Sequence, residues 1–169
     1  MGVLELIQQK SFIGREFLTW LWYRSERDGH VKIHGGNSVN VEILGPILLD
    51  AQYGDARAST LKGESPATSP EAHTALLEGK KLRRARLKLE REGVEWVLTL
   101  DGETFNITGL AIPNPGRMPF EDLLAMRGDM MLEFERAFSQ LFEEFLHLRL
   151  QPKPWSKEIE TIQEWVRDK

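Results

Sequence analysis

Apolar positions recur at helical spacing near both ends of the chain and alternate in its middle, and this change of period divides the sequence. From Ser11 to Arg24 it reads SFIGREFLTWLWYR, with Phe17, Leu18, Leu21 and Trp22 three and four apart. Phe12, Ile13, Trp20 and Tyr23 widen that stripe, which predicts a helix buried over most of its circumference. Residues 1–10 could begin a short helix ahead of it, and Gly29 closes the unit. Val31 to Ile33 then reads as a short strand, followed by the turn cluster Gly35-Gly36-Asn37-Ser38. Val39 to Leu44 alternates, Gly45-Pro46 is expected to interrupt it, and Ile47-Leu48-Leu49 is a second apolar run. Asp50 to Gly63 is expected to supply another strand and a turn.

Ser65 to Pro70 reads as a loop leading into a short helix. Two starts fit that helix: a capping box of Thr68 with Glu71, or Ser69 as N-cap with Pro70 at the first helical position. Leu76 and Leu77 are expected to face the core, with Gly79 just past the end. Lys80 to Glu92 and Val94 to Leu100 form the clearest hairpin, turning near Gly93, with Trp96, Leu98 and Leu100 on one face and Val97 on the other. Thr104 to Ile112 predicts a further strand with Phe105 and Ile107 on one face, ended by Pro113, Pro115 and Pro119. From Phe120 to Arg149 an apolar stripe runs through Met131, Phe134, Phe138, Leu141, Phe142, Phe145 and Leu148, with Gly128 as a candidate break. Pro152 and Pro154 punctuate before a last helix, Trp155 to Asp168. The fold class that follows is α+β: an antiparallel sheet packed against a long C-terminal helix and an aromatic-rich N-terminal helix, as one domain over 1–150 with a short helical tail over 151–169.

Composition narrows the chemistry. With 169 residues, eight Phe, five Trp and no Cys, the chain is expected to pack a core without disulfides, thiolate zinc or a cysteine nucleophile. No signal peptide and no membrane span are read from it, and Leu6 stands where a myristoylation motif wants Ser or Thr, so a cytoplasmic protein is expected. His30 and His34 flank Lys32, a cation that repels a metal ion, and no nearby carboxylate completes a ligand set. The 26 carboxylates show no spacing of a two-metal nuclease, and there is no phosphate loop or nucleophile elbow. No catalytic residue, metal or cofactor is assigned.

The segment Lys80-Lys81-Leu82-Arg83-Arg84-Ala85-Arg86-Leu87-Lys88-Leu89 is six-tenths basic in a chain of net charge −4. With Ala85, Leu87 and Leu89 inward, strand alternation sends Arg84, Arg86 and Lys88 outward together with Lys80, a row able to follow a phosphate backbone. The alternative is a solvated face balanced by Glu90, Glu92 and Glu95, and the sequence leaves both open.

Taken together, Phe17-Leu18-Thr19-Trp20-Leu21-Trp22-Tyr23-Arg24, Ser69-Pro70-Glu71, Leu77-Glu78-Gly79-Lys80, the strand Arg83–Leu89, Trp96 to Asp101 and Phe145-Leu146-His147-Leu148-Arg149-Leu150 resemble the C-terminal half of the RdgC family. These are recombination-associated DNA-binding proteins, sometimes labelled exonucleases, and the resemblance runs from about Ser11 to Leu150. It implies sequence-independent binding of double-stranded DNA, association with the nucleoid, restraint of recombinase filaments and dimeric assembly. It also implies a DNA-facing lysine at Lys80, with Lys62 second. The candidate DNA-binding residues are therefore Lys80, Lys81, Arg83, Arg84, Arg86, Lys88 and Lys62. The family's N-terminal half has no counterpart here, so a separate partner supplying that half, or a recombinase, joins duplex DNA and a second copy as an expected partner. The aromatic surface of the Phe120–Leu150 helix and of the tail with Trp155 and Trp165 points to the same dimer. A structural or protein-interaction domain is the alternative, and a metal-dependent nuclease is disfavoured.

Overall fold

The computed structural model of the protein describes residues 3–51 and 58–168; of residues 3–12 only the helical backbone is described. The expected α+β architecture is present. Helix α1 (Val3–Arg27) leads into β1 (His30–Lys32), β2 (Ser38–Asp50) and β3 (Ala58–Leu61). A single 3₁₀ turn over Pro66–Thr68 precedes α2 (Pro70–Leu77), and then come β4 (Lys81–Arg91), β5 (Val94–Asp101) and β6 (Ile107–Ala111). Helices α3 (Phe120–Arg149) and α4 (Pro152–Arg167) complete the chain. The strands form one antiparallel sheet in the order β1-β2-β4-β5-β6, with β3 also paired to β2.

One face of that sheet carries Val41, Ile43, Ala85, Leu87, Leu89, Trp96, Leu98 and Leu100, all buried. Helices α1 and α3 lie against this face. Phe17 of α1 meets the rings of Trp20, Phe105, Phe138, Phe142 and Phe145 at centroid distances of 5.2 to 6.3 Å. Gly14 is what lets α1 come so close: a Cβ there would stand 1.9 Å from the Gly102 carbonyl oxygen. Where β5 ends, α1 also takes over hydrogen bonding, because the Thr19 hydroxyl accepts from the Leu82 amide at 3.0 Å.

The tail helix α4 is bound to α1 rather than free. The Trp165 ring packs edge-on against Trp22 and Tyr23, each at 5.6 Å, and Trp155 packs edge-on against Phe145. Glu26 accepts from the indole N–H of both Trp22 and Trp165, at 2.7 and 3.2 Å. Glu158 accepts from the Trp20 indole at 2.9 Å and pairs with Arg24 at 2.7 Å. The tail's tryptophans, expected to offer surface to a second copy, are thus used within the chain.

Several local expectations change. The N-terminal helix is one element through Arg27, although Phe12 and the Met1-Gly2 start lie outside the described side chains. Strand β2 continues through Gly45-Pro46, absorbed by a shift of register between Leu44 and Ile47. Of the Asp50–Gly63 stretch, β3 is the strand and residues 52–57 lie outside the described residues. Ser69 is the N-cap of α2, accepting from the Ala72 amide at 3.2 Å, so the reading with Pro70 at the first helical position holds. Leu77 is 60% exposed instead of facing the core, since Leu76 and Ala72 already fill the inner face. The strand expected over Thr104 to Ile112 is shorter, Ile107–Ala111: Phe105 sits ahead of it at φ 61° and packs inward, while Ile107 lies at the surface. Gly128 does not break α3.

Candidate nucleic-acid interface

The basic segment does not form one row. Strand β4 holds one extra residue: Leu48 faces Arg84 and Leu49 faces Leu82, leaving Arg83 unmatched. This bulge reverses the alternation on its N-terminal side. Plain alternation would send Lys80 outward with Arg84; with the extra residue, Lys80 turns to the inner face and is 8% exposed. Its ammonium donates to the Ser59 hydroxyl at 2.9 Å and pairs with Glu78 at 3.3 Å. Lys80 therefore does not extend the outward row, which corrects the sequence expectation.

Lys81 and Arg83 turn instead toward α1. Lys81 pairs with Glu16 at 3.7 Å, and Arg149 pairs with the same carboxylate at 2.7 Å. Arg83 pairs with Glu103 and, at 3.4 Å, with Asp50; Arg15 reaches Asp50 at 3.3 Å and Glu103 at 3.7 Å. Four cations thus surround three carboxylates. Burial pushes the Lys81 ammonium down from its ordinary value, Glu16 pulls it back, and the Arg149 and Arg15 guanidiniums push it down again. Arg15 and Arg149 had no local signature in the sequence; folding brings them together from α1 and the last turn of α3.

Arg84, Arg86 and Lys88 do point outward, as the alternation with Ala85, Leu87 and Leu89 requires. Among the described residues no helix covers that side of the strand, but carboxylates share it. Asp101, directly across from Arg84, takes its guanidinium at 2.6 and 3.0 Å. Burial alone would raise the Asp101 carboxyl; the Arg84 hydrogen bonds and the Thr104 and Glu103 amides outweigh it and hold the group below the ordinary carboxylate range. Glu42, across from Lys88, pairs with it at 2.5 Å and raises the lysine's affinity for its proton. Glu90 and Glu95 face each other beyond Lys88, in a shallow depression that also holds Glu42. Arg86, between Leu44 and Thr99, makes no ion pair among the described residues. Lys62 is exposed in the loop after β3, with β2 between it and this row.

Elsewhere, a cleft of about 600 Å³ opens between the end of α1, β1 and the end of α3, lined by Arg24, Arg27, Lys32, His147 and Glu144 among others. Among the described residues no three metal-ligating side chains are placed to hold an ion. His30 uses its Nδ1 on the Asp28 carbonyl at 2.8 Å. No described helix is long and apolar enough to cross a membrane. No protein-family model, curated protein or solved structure matches this chain.

Proposed function

We propose that this chain is a sequence-independent double-stranded DNA-binding module of recombination, acting as a homodimer. The observation that carries it is the uncovered outer face of β4, where Arg84, Arg86 and Lys88 stand in line at alternate positions. Such positions repeat every ~6.6 Å, close to the spacing of phosphates along one strand. The RdgC-like word order supports the same reading. Glu42 holds Lys88 in an exposed ion pair, worth only about 0–1 kcal/mol, so a phosphate can displace that carboxylate at small cost. Asp101 is buried and keeps its hold on Arg84, whose half-exposed guanidinium still presents donors outward. The neighbouring Glu90 and Glu95 keep contact from running on past Lys88.

Binding of a labelled duplex is expected to follow log[salt] with a slope near −2.7 for three contacts, a loss of about 40-fold between about 50 and 200 mM. Substituting Glu for Arg84, Arg86 and Lys88 together is expected to abolish binding with the fold intact by circular dichroism. A triple variant that binds like the parent would falsify the DNA reading. The second reading, a protein-interaction domain with a solvated outer face, is favoured by the carboxylates that outnumber the cations there. It takes over if the parent shows no salt-dependent binding at all.

A further inference from the structure

The apolar stripe of α3 runs on past the core it serves. Its first buried residue is Phe134, so about 14 residues, roughly 20 Å of helix, lead up to it, tied to the sheet near their end where the Met130 carbonyl accepts from the Trp96 indole at 3.1 Å. On this arm Phe120 is 70% exposed, Leu124 55% and Met131 44%. At 3.6 residues per turn these three share one face with Arg127 and Gly128. Among the described residues neither Glu121 nor Arg127 has an ion pair, and nothing lies within 4 Å of where a Cβ on Gly128 would stand.

We propose that this arm pairs with the same arm of a second copy, antiparallel, about a two-fold axis at Leu124. The sequence is self-complementary about that residue. Glu121 lies three before it and Arg127 three after; Phe120 lies four before and Gly128 four after. An antiparallel crossing therefore sets each Leu124 on its mate, each Phe120 ring over the mate's Gly128, and each Glu121 beside the mate's Arg127. The two-fold repeats each off-axis match, Phe120 with Gly128 and Glu121 with Arg127, twice. A parallel pairing would oppose Arg127 to Arg127 and Glu121 to Glu121, which disfavours it. Standard stable interfaces bury ~1,200–2,000 Å², and arms of this length offer only one short helix face each, so dissociation in the micromolar range is expected. This inference locates the dimer of the reading above and needs no DNA, so its test and the DNA titration fail separately.

The chain has no cysteine, which makes the test direct. Oxidation of the full-chain Leu124→Cys variant at tens of micromolar is expected to give a covalent dimer, while Asp129→Cys, on the far side of the helix, stays monomeric. In sedimentation equilibrium the parent is expected to approach twice its 19.4 kDa chain mass and Leu124→Glu to stay at one chain mass, with unchanged far-ultraviolet circular dichroism. Arg127→Glu is expected to weaken the dimer roughly tenfold, and adding Glu121→Arg to restore it, because the swap rebuilds the pairs in reverse. A parent that remains monomeric overturns the proposal. So does a dimer indifferent to Leu124→Glu, or equal cross-linking through Asp129→Cys.

Discussion

His73 of α2 is buried against Trp22 and Trp165, with ring centroids 6.0 Å from each, and its Nδ1 lacks a hydrogen-bond partner. Burial lowers its affinity for a proton below the ordinary 6.5. An unfolded chain then binds the proton more readily than the native one, so this group costs no stability above pH 6.5 and progressively more as the pH falls toward its lower native value. Urea midpoints are expected to drop between pH 7 and pH 5 in the parent, and His73→Phe is expected to flatten that slope. Asp101 has the same sign in a lower range. Its stabilisation is complete above the ordinary 3.8 and is lost as acid protonates the carboxyl. Neither environment was legible in the sequence, because both depend on partners from other elements: Trp165 reaches His73 from α4, and Arg84 meets Asp101 only once the hairpin is in register. On the outer face, Glu42→Gln with Glu95→Gln is expected to raise duplex affinity several-fold by filter binding, since it removes carboxylates that compete with phosphate.

Elements whose signal is local were read well. The hairpin of β4 and β5 follows from alternation plus Glu92-Gly93, both at positive φ, and α3 follows from its stripe and its flanking prolines. The start of α2 was narrowed to two N-caps one residue apart, and the Ser69 hydroxyl decides between them. Ser69→Ala is expected to cost about 1 kcal/mol in denaturant unfolding. Gly14 is the harder case. On helix propensity alone, Ala there should gain about 1 kcal/mol. The contact with Gly102 predicts the opposite sign, because the added methyl meets backbone rather than a yielding side chain. Gly14→Ala is expected to lower the melting temperature by several degrees, from a net loss of about 2 kcal/mol.

At the scale of the whole molecule, α4 closes the fold over α1 and α2. A chain ending after Leu150 is expected to expose Trp22, Tyr23 and His73, to bind more of a hydrophobic dye and to unfold at lower denaturant. The helical pattern of the tail was visible in the sequence, but which way its tryptophans would face was not, because a moment along one helix names no partner. The basic segment shows the same limit. Strand alternation sorted Arg84, Arg86 and Lys88 correctly and failed at Lys80, for it assumed an unbroken two-residue period.

That extra residue in β4 also sets what lengths the strand tolerates. Leu82 and Ala85 are both buried although an odd number of steps separates them, and the surplus between them is a single residue. Excising Arg83 would leave Leu82, Ala85, Leu87 and Leu89 all facing inward, at the expense of its ion pairs with Asp50 and Glu103 and of the hydrogen bond its carbonyl accepts from the Gly102 amide at 2.7 Å. Excising a residue between Leu87 and Leu89 would instead rotate every position on one side of the cut, placing leucines in water and arginines against Trp96. A scan of single-codon deletions along β4 should therefore find one permissive point, at the Arg83–Arg84 junction. Shortened chains from that point should remain as soluble as the parent, and those from its neighbours should aggregate.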